Sequence, residues 1–574
     1  MIMRRLLRLG LIGGLAVAGL RAEMPVAPLG ASPVGAVIAA ATPTEADDPA
    51  SGNRALLLEN GYDALLVRVH LIRQARRSIE IQTFIWSNDE VGRLLIYELI
   101  EAARRGVNVR IIADHMVSDQ DPATVAFLAT VHPNFQVRHY RPAMARIKPS
   151  WWQTVLAAAR SFRGINQRMH NKVMLVDDAV LITGGRNIEN TYFDHSTGMN
   201  FRDRDVLATG PVVQSAVASF ESYWNYQHVV PGDQLKDVVA AIRRGDYPLY
   251  ATRADYDFGG HFDGLDAEAN DDALIRAKFA ARLQPVDRVR FVADAPGKSA
   301  GWRGEADGAA AELRAMAAQA RTDIVMQTPY LIISDPAKRL VRELRQQNPA
   351  LRIRISSNSF ASTDNIMAYS ANYRLRGTYV DDLQLEVHEF KPRPAALRTL
   401  FPRFDEMKAR AEEAEPAGPG PFLCLHAKSL VVDDRLSFVG SYNLDPRSEN
   451  LNTEVGLIVE DEAFARALRA EIEADMRPEN SWVIARRELP LGTGVVNGLL
   501  EGLFGLSPVD VWPVRNTSSF ALRPDGVEVS PYDPTFHRNY REVGSFPGAD
   551  SRLSTKEIVT RIYKAVGTVF TPVL

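Results

Sequence analysis

The chain alternates between two hydrophobic periods. Gly61 to Ala75 carries apolar residues at the spacing of an amphipathic helix, and Ser78-Ile-Glu-Ile-Gln-Thr-Phe-Ile-Trp86 switches to the alternation of a strand. Val91 to Arg105 returns to helical spacing, stops before Gly106, and leads into the strand pattern Val107 to Ala113. Strand, helix and strand with short connections predict a βαβ unit and a parallel pair. The order then recurs: a helix around Ala309 to Ala320, a strand at Ile324 to Thr328, a helix over Ala337 to Gln347 and a strand at Leu351 to Ser356. Glu462 to Met476 is a closing helix. Duplicated α/β halves, each layered, are expected to face each other across a pseudo-twofold axis.

A polar motif interrupts this pattern twice. Leu425-His-Ala-Lys-Ser-Leu-Val-Val-Asp-Asp434 reads as a short buried strand, which places His426 and Lys428 on one face. Asp433 falls at an Asp-Asp turn, and the apolar segment Leu436 to Val439 follows. Gly440 and Ser441 then allow close backbone approach, and Asn443 adds an amide. Arg168 to Asp177 repeats the spacing with His170, Lys172 and Asp177, and Gly184-Gly-Arg-Asn187 repeats Gly440-Ser-Tyr-Asn443. Six residues separate the Asp from the first Gly in both copies. Asp203 opens an apolar run in the first copy as Glu454 does in the second. One His-x-Lys-x4-Asp arises by chance on half-buried strands; two copies with shared offsets form a signal.

The paired motif resembles the phospholipase D superfamily, whose members bring two His-Lys-Asp motifs to one phosphodiesterase site. The flanks Gly184-Gly-Arg-Asn-Ile188, Tyr192-Phe193, Asn443-Leu-Asp-Pro-Arg-Ser448 and Leu451-Asn-Thr-Glu454 are similar to the bacterial cardiolipin synthase branch of the C type. The resemblance covers residues 50 to 250 and 285 to 478. It implies an α/β fold, with duplicated α-β-α sandwich halves forming one active site.

A phosphodiester repels nucleophiles through its anionic oxygens and has a poor leaving group. Lys172 and Lys428, helped by Asn187 and Asn443, are expected to hold those oxygens, with Ser441 as a further donor. One histidine attacks phosphorus to form a phosphohistidine while the other protonates the departing alcohol. The motif spacing is symmetric on which does which; the resemblance implies His170 as nucleophile and His426 as acid and base. It also implies that Asp203 and Glu454 orient the histidines. Asp177 and Asp433 complete the catalytic motif, yet their odd spacing from the histidines turns them away from the phosphate and suits them to fixing the turns. No cofactor or metal is expected, because a protonated lysine offers no lone pair and His-x-Lys is therefore no ligand pair.

Composition narrows the partners. The 574 residues, 46% apolar and 24% charged, suffice for two cores. A net charge of −3 supplies no global attraction to nucleic acid or acidic lipid, so any such attraction is local. Arg141 to Lys172 is the local candidate: seven Lys or Arg, no Asp or Glu, and Trp151 and Trp152 within it. Such a stretch suits an anionic lipid surface, and it also suits a nucleic-acid backbone. Phe220 and Trp224 are core residues. Cys424, the single cysteine, excludes an internal disulfide and reads as a packing residue despite its closeness to His426.

Met1 to Ala22 has a basic start and a short apolar middle, the pattern of a secretory signal cut after Ala22 or of a retained N-terminal anchor. Residues 23–50 follow as an Ala/Pro-rich linker, 51–250 as the first domain, 251–288 as a linker or insertion, and 289–478 as the second domain. Residues 479–574, with the apolar Gly494 to Leu506 and Trp512, carry no assignable role. The loop Pro416 to Pro421 is a surface excursion. The expectation is an exported, periplasm-facing, membrane-associated phosphatidyltransferase making cardiolipin with phosphatidylglycerol as acceptor. Its partners would be phospholipids and the membrane surface, with no nucleic acid and no obligate protein. A phospholipase D using water, a phosphodiesterase on nucleic acid, and an inactive lipid-binding duplicate are the alternatives.

Overall fold

The computed structural model describes residues 29–30, 32–40, 50–115, 118, 121–160, 166–258, 260–298, 308–416, 418–488 and 516–548. Met1 to Ala22, expected to be a signal or anchor, and Gly494 to Leu506 and Trp512 lie outside them. Among the described residues no helix is long and apolar enough to cross a membrane.

Two large sheets carry the fold. The first runs in the order Gln284–Val286, Asn53–Leu58, Asp205–Thr209, Val180–Gly184, Val173–Val176, Ser78–Thr83, Asn108–Asp114, Phe135–Tyr140 and Val229–Pro231. The second repeats eight of these places with Arg288–Ala293, Val455–Glu460, Leu436–Gly440, Ser429–Val432, Asp323–Gln327, Arg352–Asn358, Glu386–Phe390 and Ser481–Arg486. In each sheet the three strands from the βαβ region are parallel and their neighbours antiparallel. The duplication in the motifs is thus a duplication of topology.

Side-chain caps start the helices where the periodicity begins. Asn60 accepts the Asp63 N–H at 2.7 Å ahead of Gly61–Gln74, Asp89 accepts that of Gly92 at 2.9 Å ahead of Glu90–Arg104, and Asp461 accepts that of Phe464 at 2.8 Å ahead of Glu462–Met476. Helices Gly61–Gln74 and Glu90–Arg104 bury their apolar faces on one side of the first sheet, with Leu65, Val69, Leu94 and Leu99 in the core. Helix Val212–Trp224 covers the other side; Phe220 and Trp224 are buried and stacked at 5.8 Å, as expected of core residues. The inner layers of the two halves share one core, in which Val173, Leu181 and Val206 meet Val431, Val439 and Leu457.

Three segments are more integrated than their composition suggests. Within 23–50, expected to be a linker, helix Pro33–Ala40 buries Val34 in the first core and Ser32 Oγ lies 2.8 Å from His70 Nε2. In 251–288, helices Asp263–Ala269 and Asp272–Lys278 bury Phe262, Leu265 and Ile275 in the first core. Gln284–Val286 then joins the first sheet and Arg288 opens the second, so the chain changes sheets at Asp287. Beyond Ser481–Arg486, strands Thr517–Leu522 and Tyr540–Gly544 extend the second sheet, giving part of 479–574 a structural place.

The motif itself is not one strand. Phe422–Leu425 pairs in parallel with Met199–Arg202 of the other half, Ser429–Val432 belongs to the second sheet, and His426-Ala427-Lys428 forms the passage between them. The alternation of a continuous strand therefore does not orient these side chains. Cross-half pairing does.

Candidate active site

Each histidine is positioned by the backbone of the opposite half. The His170 N–H donates to Thr453 O at 3.0 Å and the Thr453 N–H to Arg168 O at 2.9 Å. The His426 N–H donates to Arg202 O at 2.9 Å. The residues that follow these anchors, Glu454 and Asp203, supply the orienting carboxylates. His170 Nδ1 lies 2.8 Å from Glu454 Oε2, and His426 Nδ1 lies 2.6 Å from Asp203 Oδ2. The pairs are crossed: each half orients the other's histidine. An Nδ1–H given to a carboxylate leaves the Nε2 lone pair on the reacting side.

Aromatic rings wall the histidines. Phe84, just past the end of Ser78–Thr83, meets His170 edge-on at 4.8 Å; Phe201 and Tyr192 lie 4.7 and 5.2 Å from His426. Lys172 and Lys428 are buried beside them. Lys172 Nζ donates to His170 O at 2.8 Å, and Lys428 Nζ lies 3.0 Å from His426 Nε2. Burial pulls Lys172 down to about 7, with the charge of Lys428 adding to the effect, and pulls Lys428 to about 8 against the attraction of Asp203.

The two carboxylates differ electrostatically. Burial pushes both up, but the charges of His426 and Lys428 reverse this at Asp203 and hold it well below the usual carboxylate range. At Glu454 burial wins over the Ser441 hydrogen bond and Lys172, raising the group to about 7. Burial, then Lys172 and Lys428, keep His170 well below the ordinary imidazole range. Burial and Lys428 also lower His426, while Asp203 opposes them.

Four expected site residues have other partners. Asp177 accepts the N–H groups of Arg76, Arg77 and Ser78 at 2.7–3.1 Å, and Asp433 those of Arg321, Thr322 and Asp323 at 2.6–2.9 Å. They clamp the loops entering the central strands and so belong with folding, not with the catalytic groups. Both sit at positive φ in the Asp-Asp turn, 54° and 52°. Ser441 Oγ donates to Glu454 Oε2 at 2.5 Å, so it steadies the carboxylate and does not face phosphate. Asn187 is engaged with the Ile85 N–H at 3.2 Å and the Tyr192 hydroxyl at 2.8 Å. Asn443 is buried, with Oδ1 lacking a hydrogen-bond partner among the described residues.

Asp177→Ala is accordingly expected to leave buried N–H donors unsatisfied and cost about 1–3 kcal/mol. Urea unfolding should show that loss, while activity per folded molecule stays near wild type.

The second copy has Ser441 where the first has Gly185. A Cβ on Gly185 would stand 2.1 Å from Asp203 Oδ1, so only glycine leaves room for that carboxylate to reach His426.

Motif matching missed the parts played by two neighbours. Tyr192 places its hydroxyl 3.5 Å from His426 Nε2 while holding Asn187. Asp364, on the loop after Arg352–Asn358, accepts the Tyr330 hydroxyl at 2.7 Å and lies 3.8 Å from Cys424 Sγ. The doublet Tyr192-Phe193 was visible as a flank; Asp364 had no sequence signal. Cys424 is fully buried with its thiol pushed up by burial, as suits a packing residue.

Two histidines from duplicated α/β halves, each tied to a carboxylate of the other half beside a buried lysine, define a two-motif enzyme of the phospholipase D superfamily. The family model described as "Cardiolipin synthase, PLD-like domain" matches residues 69–224 and 313–476, and the chain belongs to this family. It is 30% identical over 433 residues to cardiolipin synthase C of Escherichia coli K12, covering 72% of this chain and 82% of that protein. It is 32% identical over 439 residues to an uncharacterized protein of Helicobacter pylori J99, covering 75% and 80%. The crystal structure of Haemophilus influenzae phosphatidylserine synthase shares the fold, with a TM-score of 0.50 and 16% identity over 75% of this chain and 87% of that one.

Proposed function

We propose that the protein is a phosphatidyltransferase that makes cardiolipin from two phosphatidylglycerol molecules. The observation that carries the chemistry is the crossed pair of histidine–carboxylate contacts beside two buried ammonium groups. The likeness to cardiolipin synthase C supports cardiolipin as the product.

The carboxylates divide the roles. Neutral His170, whose partner Glu454 carries its charge weakly, keeps an Nε2 lone pair for attack on phosphorus. His426 faces the firmly ionised Asp203, which supports an imidazolium, so it acts as acid and then base. The attack forms a P–N bond and breaks the P–O bond to glycerol, which takes the proton from His426. The terminal hydroxyl of a second phosphatidylglycerol then gives its proton to His426 and attacks phosphorus, breaking the P–N bond. Two inversions give net retention. The lysines hold the phosphate oxygens throughout.

The lysines also set a pH limit. Their cations are lost as pH rises through about 7 and 8, so kcat/KM should fall on that alkaline limb. A bound anionic phosphate favours the protonated lysines, so the kcat limb should lie at higher pH. Coincident limbs in a pH–rate profile would refute this assignment.

Met1 to Ala22 supports an exported, membrane-apposed place of work. The deciding assay uses purified protein in mixed micelles with phosphatidylglycerol. Cardiolipin plus glycerol is the expected outcome; phosphatidic acid alone would make the enzyme a hydrolase, and no lipid turnover would overturn both.

A further inference from the structure

Helix Trp151–Arg160 presents an apolar face that nothing among the described residues covers. Of the eight large hydrophobic residues exposed among the described residues, four lie in six consecutive positions: Trp151, Trp152, Val155 and Leu156. Trp151 is 79% exposed, Trp152 53% and Val155 58%. Trp151 and Val155, like Trp152 and Leu156, are four apart and share a helix face. A contiguous exposed patch of this kind marks an interaction surface.

The patch has a firm base. Ile147 is buried against Val125, Leu235 and Val238. The backbone N–H groups of Ile147 and Lys148 donate to the Asp237 carboxylate at 3.0 and 2.8 Å. It also stands at the catalytic end of the first sheet. The excursion leaves the end of strand Phe135–Tyr140, its Ile147 carbonyl lies 2.9 Å from His115 Nε2, and it returns where the Met169 N–H meets Asp114 at 2.9 Å. Asp114 ends its strand, and His170 is the next residue after Met169. In the second half, Ile366 is 43% exposed at the start of helix Ile366–Gly377, which follows strand Arg352–Asn358.

We infer that this helix is the bilayer-docking element, seating Trp151, Trp152, Val155 and Leu156 in the interfacial zone of an anionic phospholipid membrane. The inference rests on the phosphatidyltransferase reading and specifies how that site meets its substrate. Charge complementarity selects the occupant: Arg141, Arg146 and Lys148, none of them buried, lead into the helix with no carboxylate from Arg141 to Leu156, and an anionic surface matches both these cations and the indoles. A second copy would set this basic patch against itself across a twofold axis. Nucleic acid would answer the cations but leave Val155 and Leu156 without stacking partners.

The test is vesicle sedimentation of the full chain, with phosphatidylcholine vesicles and with vesicles also containing phosphatidylglycerol. Wild-type protein should bind the anionic vesicles, and W151S/W152S should bind about tenfold or more weakly. The variant should keep its thermal unfolding transition and its rate on a short-chain phospholipid dispersed as monomers. Wild-type-like vesicle binding by the variant would overturn the inference. So would a wild-type dimer that the substitutions dissolve, or salt-sensitive binding of an oligonucleotide in place of vesicles. Vesicle binding lost with the tryptophans, from a protein that turns over no lipid, would keep the docking surface and sink the catalytic reading.

Discussion

His170→Ala is expected to lower phosphatidyl transfer by about 10⁴-fold or more, because the covalent intermediate has no other site on which to form. His426→Ala should be as damaging with phosphatidylglycerol but far less so with a phosphatidyl ester of nitrophenol, whose leaving group needs no proton. With that ester the His426 variant should accumulate a phosphatidyl adduct on the peptide carrying His170, detectable by mass spectrometry without acid treatment. The physical basis is the difference between the two imidazoles. His170 is kept neutral by burial and two cations, whereas His426 has an ionised Asp203 at 2.6 Å. An adduct on the peptide carrying His426 would reverse the roles.

Removing the orienting charges is the next largest effect. Asp203→Asn and Glu454→Gln keep size but weaken the hold on the Nδ1 tautomer, and each is expected to cost about 10²–10⁴-fold in kcat with little change in KM. Asp203→Asn should cost more, because Asp203 carries a full charge whereas Glu454 is raised to about 7. The crossed geometry makes a sharper prediction in double variants. Adding Asp203→Asn to His426→Ala should cost little more, since Asp203 acts through that histidine, while adding it to Glu454→Gln should multiply the losses. If Asp203 instead proved redundant with His170, the crossed pairing would not describe the working site.

The duplication explains why so much was legible. Each half must bury its own sheet, so the apolar periods of Ser78–Thr83 and Asp323–Gln327, and of their neighbours, repeat in the chain. Helix limits were visible for the same reason; Glu462–Met476 has the ends its spacing predicts, and in the structure Asp461 caps it. The two His-x-Lys units were legible because a shared phosphate asks for the same groups from each half. The partners of Asp177, Asp433, Ser441 and Asn187 were not. Each is fixed by a segment remote in sequence or by a neighbour across a turn, and spacing carries no information about such contacts.

The sequence by itself determined two α/β halves, two histidines, two lysines and a carboxylate following each motif. Periodicity and motif chemistry are local properties, written in residues close together along the chain. Only the tertiary structure decided that the carboxylates cross over, Asp203 to His426 and Glu454 to His170. That exchange arises because Met199–Arg202 pairs with Phe422–Leu425, and Met169 bridges to Thr453, across the interface between the halves. It likewise decided that His426 to Lys428 is a passage between two sheets and not part of one strand. A strand's partner is chosen by burial and register against distant chain, which no local pattern records.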